Sequence, residues 1–319
     1  MRNFLRLLAV LLVGLVVAFL LGPRVPVDTT VRAIELLADL DRYLSDSEAQ
    51  FSDIVPETEK TIIWAGERGA KTPLAVVSLH GFSATRQESA PLADDLAAQW
   101  GANLYYTRFT GHGRTGDAMA EATVNDWIND SEEALAIGQR LGERVIVIGV
   151  STGATAATWL AAQHNDDNVL AYVLISPNYA PKDSASEILT WPWGGRIAEL
   201  LIGPERTWEP ANDAQARYWM TRYPTAALLP MMGFVKLVRS QELEAIQRPI
   251  LVIYSPNDQV INPDRVEEAY ERFGSPIKKL VAIDDPQDPS NHVLAGRILS
   301  PDDTPKIEQI ILDFVASLE

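Results

Sequence analysis

Residues 145–153, Val-Ile-Val-Ile-Gly-Val-Ser-Thr-Gly, constrain this chain more than any other stretch, because a run of β-branched residues ends abruptly in G-x-S-x-G. Such a run reads as a buried strand. Gly149 and Gly153 remove the side chains that would clash in a tight strand-to-helix turn, which puts Ser151 at its apex. The next segment, Ala154 to Ala162, begins with small residues that let a helix pack close behind the turn. The amino-terminal dipole of that helix favours negative charge developing nearby. The pentapeptide alone fits a glycine-flanked serine in an ordinary loop equally well. A nucleophilic serine needs partners, and the rest of the chain must supply them.

Three further segments occur in the order such a serine requires. Upstream, residues 74–79 read as a strand, and His80-Gly81-Phe82-Ser83 comes after it as a loop in which glycine permits close backbone approach. In a strand–elbow architecture one oxyanion donor comes from this loop and the other from the residue after the nucleophile, here the backbone N–H groups of Phe82 and Thr152. Downstream, residues 249–254 form another strand pattern, and Asp258 stands just past its end among turn formers. Residues 278–283 read as a last strand, and an acidic, proline-containing loop leads from it to His292. The order Ser, Asp, His differs from that of the chymotrypsin-type and subtilisin-type enzymes.

Of four histidines only His292 follows a strand at the right place in that order. His164 falls near the end of the helix after Ser151, where a solvated capping role is expected. His80 and His112 belong to loops beside the expected pocket, as organisers of those loops or, for His112, as a substrate contact. Asp258 is the expected orienting acid. Asp284, Asp285 and Asp288 share the loop of His292 and are its rivals, the alternative for them being a solvated acidic loop.

On His80-Gly81-Phe82, Gly111-His112-Gly113, the serine elbow, Asp258 and His292, the chain resembles the α/β-hydrolase superfamily, and within it the serine aminopeptidase and monoacylglycerol-lipase-like group. The resemblance covers most of residues 60–319 and implies a mostly parallel sheet with helices on both faces. Thr115 departs from it, since relatives more often carry serine there. The implied chemistry is two-step acyl transfer through Ser151, His292 and Asp258, with no metal or organic cofactor. The absence of cysteine excludes thiolate metal sites and a cysteine nucleophile. Peptidase and acyltransferase chemistry are variants of the same reading, and a non-catalytic protein that binds a ligand in the same fold is the alternative from another class.

The amino terminus bears on where this chemistry happens. Residues 7–22 are wholly apolar or glycine, preceded by Arg2 and Arg6 and closed by Pro23-Arg24. The expectation is a retained single-pass anchor over residues 1–25, the alternative being a cleaved signal peptide and a secreted enzyme. Arg2 and Arg6 favour an extracytoplasmic catalytic domain, a bias weakened by Arg24 and Arg32. A formal charge of −16 disfavours nucleic acid and anionic lipid as partners.

Between anchor and catalytic domain, residues 26–60 read as a helical linker in which Val31, Ile34, Leu37 and Leu40 recur near helical spacing, with Asp28, Thr29 or Thr30 as caps. Residues 61–319 are expected to form one hydrolase domain closed by an amphipathic helix over 304–318. Within it, residues 180–248 leave the strand–helix rhythm and are rich in tryptophan, tyrosine and methionine. They read as a helical cap whose aromatic residues and methionines pack it on the core and collectively line a pocket for an acyl chain. The expected substrate is a lipid-like or other apolar carboxylic ester.

Overall fold

The computed structural model describes residues 1–318. Its strands, in chain order, are β1 (Thr61–Ile63), β2 (Thr72–Leu79), β3 (Asn103–Tyr106), β4 (Gly142–Val150), β5 (Val169–Ile175), β6 (Glu205–Thr207), β7 (Arg222–Pro224), β8 (Ile250–Tyr254) and β9 (Lys278–Ala282). Seven of them make one sheet in the order β1-β3-β2-β4-β5-β8-β9, parallel throughout except where β1 runs antiparallel to β3. Parallel neighbours need crossover connections that cover the faces of a sheet. The helices supply them: α3 (Leu92–Trp100), α4 (Val124–Leu141), α5 (Thr152–Gln163) and α9 (Pro263–Arg272), with α1 (Arg2–Leu20) and α2 (Leu40–Glu48) ahead of the sheet, α6 (Gly194–Ile202), α7 (Asp213–Tyr218) and α8 (Leu228–Arg239) between β5 and β8, and α10 (Thr304–Ala316) after the last strand.

The pleat divides the β-branched run of β4 between two cores. Val145 and Val147 pack with Trp127, Ile128 and Leu160 on one face, while Ile146 and Ile148 pack with Leu96, Ile311 and Phe314 on the other. Each fully buried aliphatic side chain contributes about 1.5–3 kcal/mol of hydrophobic stabilisation. A one-residue slip would exchange the two sets, so packing on both faces fixes where the strand ends and the turn at Ser151 begins.

Two expectations need correction. The segment between α1 and the hydrolase domain is not helical over 31–37; its helix, α2, starts only at Leu40, capped by Asp39, whose carboxylate accepts the Arg42 N–H at 3.0 Å. The preceding residues are extended because α4 claims their backbone groups. The Arg32 N–H donates to Asn129 Oδ1 at 2.7 Å, and Asn125 Nδ2 donates to the carbonyls of Asp28 and Thr30 at 3.0 and 2.9 Å. Thr29, Thr30 and Val31, being β-branched, suit that conformation. The cap is helical in the main, but it also contains an antiparallel ribbon of β6 and β7, wholly apart from the large sheet. The ribbon is bound by Arg222 to Glu205 at 2.7 Å rather than by apolar alternation, and so carries no period-two signal.

Candidate active site

Ser151 sits where β4 gives way to α5, in the left-handed region with φ 52° and ψ −117°. The turn closes only because its two flanking glycines lack side chains. A Cβ on Gly153 would lie 2.1 Å from the Leu79 carbonyl oxygen, and one on Gly149 would lie 2.4 Å from the Gly153 carbonyl oxygen. The strained serine is held by its neighbours: its N–H donates to the Ile175 carbonyl at 2.9 Å, and its own carbonyl accepts from Ala154, Thr155 and Asn178.

Asp258 is fully buried and splits its carboxylate between two tasks. Oδ1 accepts the backbone N–H groups of Val260 and Ile261 at 2.7 and 2.9 Å, which fixes the rotamer, and Oδ2 meets His292 Nδ1 at 2.7 Å. Nδ1 therefore carries the proton, and Nε2 is left as the acceptor. Burial alone would push the imidazole down, but the charge and hydrogen bond of Asp258, with the charges of Glu88 and Asp288 beyond, outweigh it and hold His292 above its ordinary value.

The rival aspartates are placed elsewhere. Asp284 and Asp285 are exposed. Asp288 is buried, but its carboxylate accepts the backbone N–H groups of Ser290, His292 and Val293, so it shapes the histidine loop from below instead of orienting the ring. Ser176 holds the same loop from the other side, its hydroxyl donating to the His292 carbonyl at 2.7 Å. Ser176 directly follows Ile175, the residue that accepts from Ser151, and so ties the histidine loop to the elbow. An aspartate a few residues ahead of a loop amide is a legible capping pattern. Nothing in the sequence singles out Ser176.

The expected oxyanion loop follows β2. Neither the Phe82 nor the Thr152 N–H donates to another of the described residues, and Thr152 opens α5, where backbone N–H groups have no partner within the helix. Glu88, a further residue of the site, belongs to no motif in the sequence. It lies in a short 3-10 turn, Arg86–Glu88, and its carboxylate accepts the Gly81 N–H at 2.7 Å. A Cβ on Gly81 would stand 2.8 Å from Glu88 Oε1 and 3.1 Å from the Ser151 Cβ, so the acid and the serine flank the same glycine. Burial pushes the Glu88 carboxyl up to about 7 against the opposing effects of the Gly81 bond and the His292 charge.

His80 and His112 organise loops. His80 Nδ1 donates to the Gly81 carbonyl and Nε2 accepts the Phe109 N–H at 3.2 Å, while burial lowers the ring to about 4, which keeps it neutral. His112 Nδ1 lies 3.2 Å from the Thr110 carbonyl, and burial lowers this ring too. His112 Nε2 has no hydrogen-bond partner among the described residues. Both rings line a cavity of about 10 Å³ beside Phe82 and Thr152, closed by Phe109, Trp127 and Phe234. His164, expected as a solvated cap, is the C-cap residue of α5, and it is also joined to α4 by Nε2 at 2.7 Å from Glu132 Oε2.

Most of the cap's aromatic residues and methionines serve packing. Trp219, Met220, Tyr223, Met231, Met232 and Phe234 are buried, whereas Trp191 and Trp193 face outward. A larger cleft of about 690 Å³ lies beside the cap helix α7. It is lined by Glu57, Arg86, Asn212, Asp213, Tyr218 and Arg297 among others, and by none of Ser151, Asp258 and His292.

A mostly parallel sheet with a strained serine at the strand–helix elbow, and an aspartate–histidine pair on the loops after later strands, defines an α/β-hydrolase. A family model described as serine aminopeptidase, S33, matches residues 70–285, and the chain belongs to that family. It is 26% identical over 211 residues to a thermostable monoacylglycerol lipase of Bacillus sp. (strain H-257), a match that spans 66% of this chain and 81% of the relative. Among solved structures it is similar to one described with LipS and LipT, two metagenome-derived lipolytic enzymes, with TM-score 0.67 and 21% identity over 83% of this chain and 99% of the other. A soluble variant of the Saccharomyces cerevisiae monoglyceride lipase, in complex with a substrate analog, gives TM-score 0.61 and 14% identity over 84% and 97%.

Proposed function

We propose that this protein is a membrane-anchored serine hydrolase that cleaves carboxylic esters of lipid-like or other apolar acyl groups through an acyl-enzyme. The observation that carries the reading is the 2.7 Å bond from His292 Nδ1 to the buried Asp258, which fixes the imidazole with Nε2 free to act as a base. In the forward step His292 takes the Ser151 proton as Oγ attacks the ester carbonyl, and the Phe82 and Thr152 amides receive the oxyanion. His292 then returns the proton to the departing alcohol. Water, activated by the same ring, attacks the acyl-enzyme and releases the acid and Ser151. The names of the relatives support an ester of glycerol as the substrate class.

A drug-sized ligand needs a pocket of roughly 300 Å³ or more. The cavity of about 10 Å³ beside the oxyanion amides is too small for an acyl chain. A contact inside α1 supports a retained segment over a cleaved signal: Trp193 Nε1 donates to the Ala18 carbonyl at 3.1 Å. The residues just beyond are tied down as well. Val25 packs against the main core, and the Pro23 carbonyl accepts the Trp193 N–H at 2.8 Å.

The test is labelling of the full chain with a fluorophosphonate, with turnover of p-nitrophenyl esters of increasing chain length. Wild type should label and prefer longer chains, and Ser151→Ala should do neither while keeping the wild-type circular dichroism spectrum. Labelling that persists in S151A, or a folded wild type that neither labels nor turns over any ester, would overturn the reading.

A further inference from the structure

We infer that the outer face of the cap helix α6, with Trp191 and Trp193 ahead of it, is a second membrane-contact surface that lies against the bilayer beside the anchor. The inference rests on α1 being a retained membrane segment, as proposed above. Helix α1 spans Arg2–Leu20 and has none of its side chains buried in protein. At about 1.5 Å per residue it is close to the roughly 30 Å of a hydrocarbon core.

The carboxyl end of that helix is fastened to the cap at several points. Trp193 Nε1 donates to the Ala18 carbonyl at 3.1 Å, and the Trp193 N–H donates to the Pro23 carbonyl at 2.8 Å. The indole occupies the space a side chain at residue 22 would need, since a Cβ on Gly22 would fall 2.0 Å from Trp193 Nε1. Val25 then packs against α8, 3.1 Å from where a Cβ of Gly233 would be. The cap therefore begins at the level where α1 leaves the bilayer, and α6 starts from the very tryptophan that grips it.

Along α6 the inner side is taken up by Gly194 and Ala198, which are buried. The outer side exposes large apolar side chains beside one ion pair: Leu200 is 86% exposed, Leu201 67% and Ile202 44%, with Trp191 at 49% and the α1-bound Trp193 at 42%, while Arg196 pairs with Glu199 at 3.2 Å. Adjacent large aliphatics so exposed are costly in water and mark a surface with a partner. A bilayer fits because the patch is continuous with an apolar helix rather than separate from it. Tryptophan, with an apolar body and one N–H, is the residue enriched at the headgroup level. Arg196 and Glu199 in the same helix neutralise each other at 3.2 Å, and the long arginine stem lets that pair reach the headgroup level. Held this way, the cap would meet esters at the surface where their acyl chains are dissolved.

The chain has no cysteine, so single-site labelling is clean. Full-length Leu201→Cys and, as a control on exposed α9, Glu271→Cys are each labelled with a nitroxide and reconstituted in phosphatidylcholine vesicles. Collision rates with oxygen and with a water-soluble nickel chelate are then measured. Flotation of the vesicles reports the anchor, circular dichroism reports the fold, and neither depends on catalysis. The expected result is that the label at 201 collides with oxygen several-fold more than with nickel, and the label at 271 the reverse. A label at 201 that behaves like the one at 271 in protein that floats would overturn the second contact while leaving the anchor and the esterase reading intact. Protein that does not float removes the anchor and this inference with it. Spin–spin broadening at 201 that disappears on dilution with unlabelled protein would mean that a second copy of the chain covers the face, and would also overturn it.

Discussion

Glu88 accepts the backbone N–H of Gly81 at 2.7 Å from a position enclosed by protein, and so anchors the loop whose next residue, Phe82, is the proposed oxyanion donor. Glu88→Ala leaves that N–H buried without an acceptor, a loss of about 1–3 kcal/mol. Part of it should fall on the transition state, and kcat on p-nitrophenyl acetate should drop about 10-fold to 100-fold with little change in KM. Glu88→Gln offers an acceptor of the same shape and should keep kcat within about tenfold of wild type. Equal losses in the two variants would show that the bond does not position the loop.

The same carboxyl makes a separable prediction about pH. His292 is held above its ordinary value by Asp258 first, then by Glu88 and Asp288, so the acid limb of kcat/KM should lie above about 6.5. The Glu88 carboxyl, itself raised to about 7, favours the protonated ring to the extent that it is ionised, and losing that charge disfavours the protonated form. Glu88→Gln should therefore move the limb to lower pH, and a profile of kcat/KM from pH 5 to 9 reads the shift. A limb that stays put or moves upward would contradict the coupling.

Asp258 and Asp288 offer a contrast between two buried acids on one histidine. Asp258→Asn keeps the volume but loses the charge that fixes the tautomer, and kcat should fall by about 10³-fold to 10⁴-fold with KM largely unchanged. Asp288→Asn retains one acceptor for the loop amides and should lose chiefly stability, about 1–3 kcal/mol by urea unfolding. The reverse pattern would assign the orienting role to Asp288.

The elbow and the order of its partners were legible because each depends on local rules. A β-branched run must be a buried strand, two glycines must flank a tight turn, and Asp258 stands directly behind a strand end. Glu88 and Ser176 were illegible for the opposite reason. Their partners, the Gly81 amide and the His292 carbonyl, come from other turns of the chain, and no period in the sequence records such a meeting. The misread helix ahead of Leu40 shows tertiary contacts overriding spacing. Val31 and Leu37 recur as a helical stripe would, yet both remain exposed while Asn125 and Asn129 hold the backbone extended. The cap's composition was legible as aromatic, but which rings turn inward depends on the docking of α6 and α8.

His164 links pH to stability. Its hydrogen bond to Glu132 is the main cause of a value raised above the ordinary one, against the effect of partial burial. A raised folded value means the stabilisation is fully present below about 6.5 and fades as pH rises through the folded value. With the ring partly open to water the pair contributes about 1 kcal/mol or less. His164→Gln should lower the urea midpoint at pH 5.5 and change it less at pH 9. A larger loss at pH 9 would have the wrong sign for this pair.

Two truncations should behave differently, because the fastening to the cap lies mostly just beyond the apolar helix, with a single exposed bond, Trp193 Nε1 to the Ala18 carbonyl, inside it. Removing residues 1–20 deletes α1 but keeps Pro23 and Val25, whose contacts with Trp193 and α8 tie the segment to the cap. That protein should be soluble and hydrolyse a short soluble ester at the wild-type rate. The expected negative surface, from a formal charge of −16, opposes its aggregation. Removing residues 1–25 takes away the partly buried Val25 and the carbonyl that accepts the Trp193 N–H. It should lower stability by about 1–2 kcal/mol, since burying a valine fully is worth about 1.5–3 kcal/mol and losing one hydrogen bond about 1. Urea unfolding of the two proteins beside the full chain in detergent gives the comparison. Against ester embedded in vesicles both should lose rate, because the proposed attachment would raise the local substrate concentration. If the shorter and longer deletions unfold at the same midpoint, residues 21–25 are only a leash and the cap does not depend on them. If the removal of residues 1–20 alone abolishes short-ester turnover in a folded protein, α1 belongs to the working domain instead of serving as its tether.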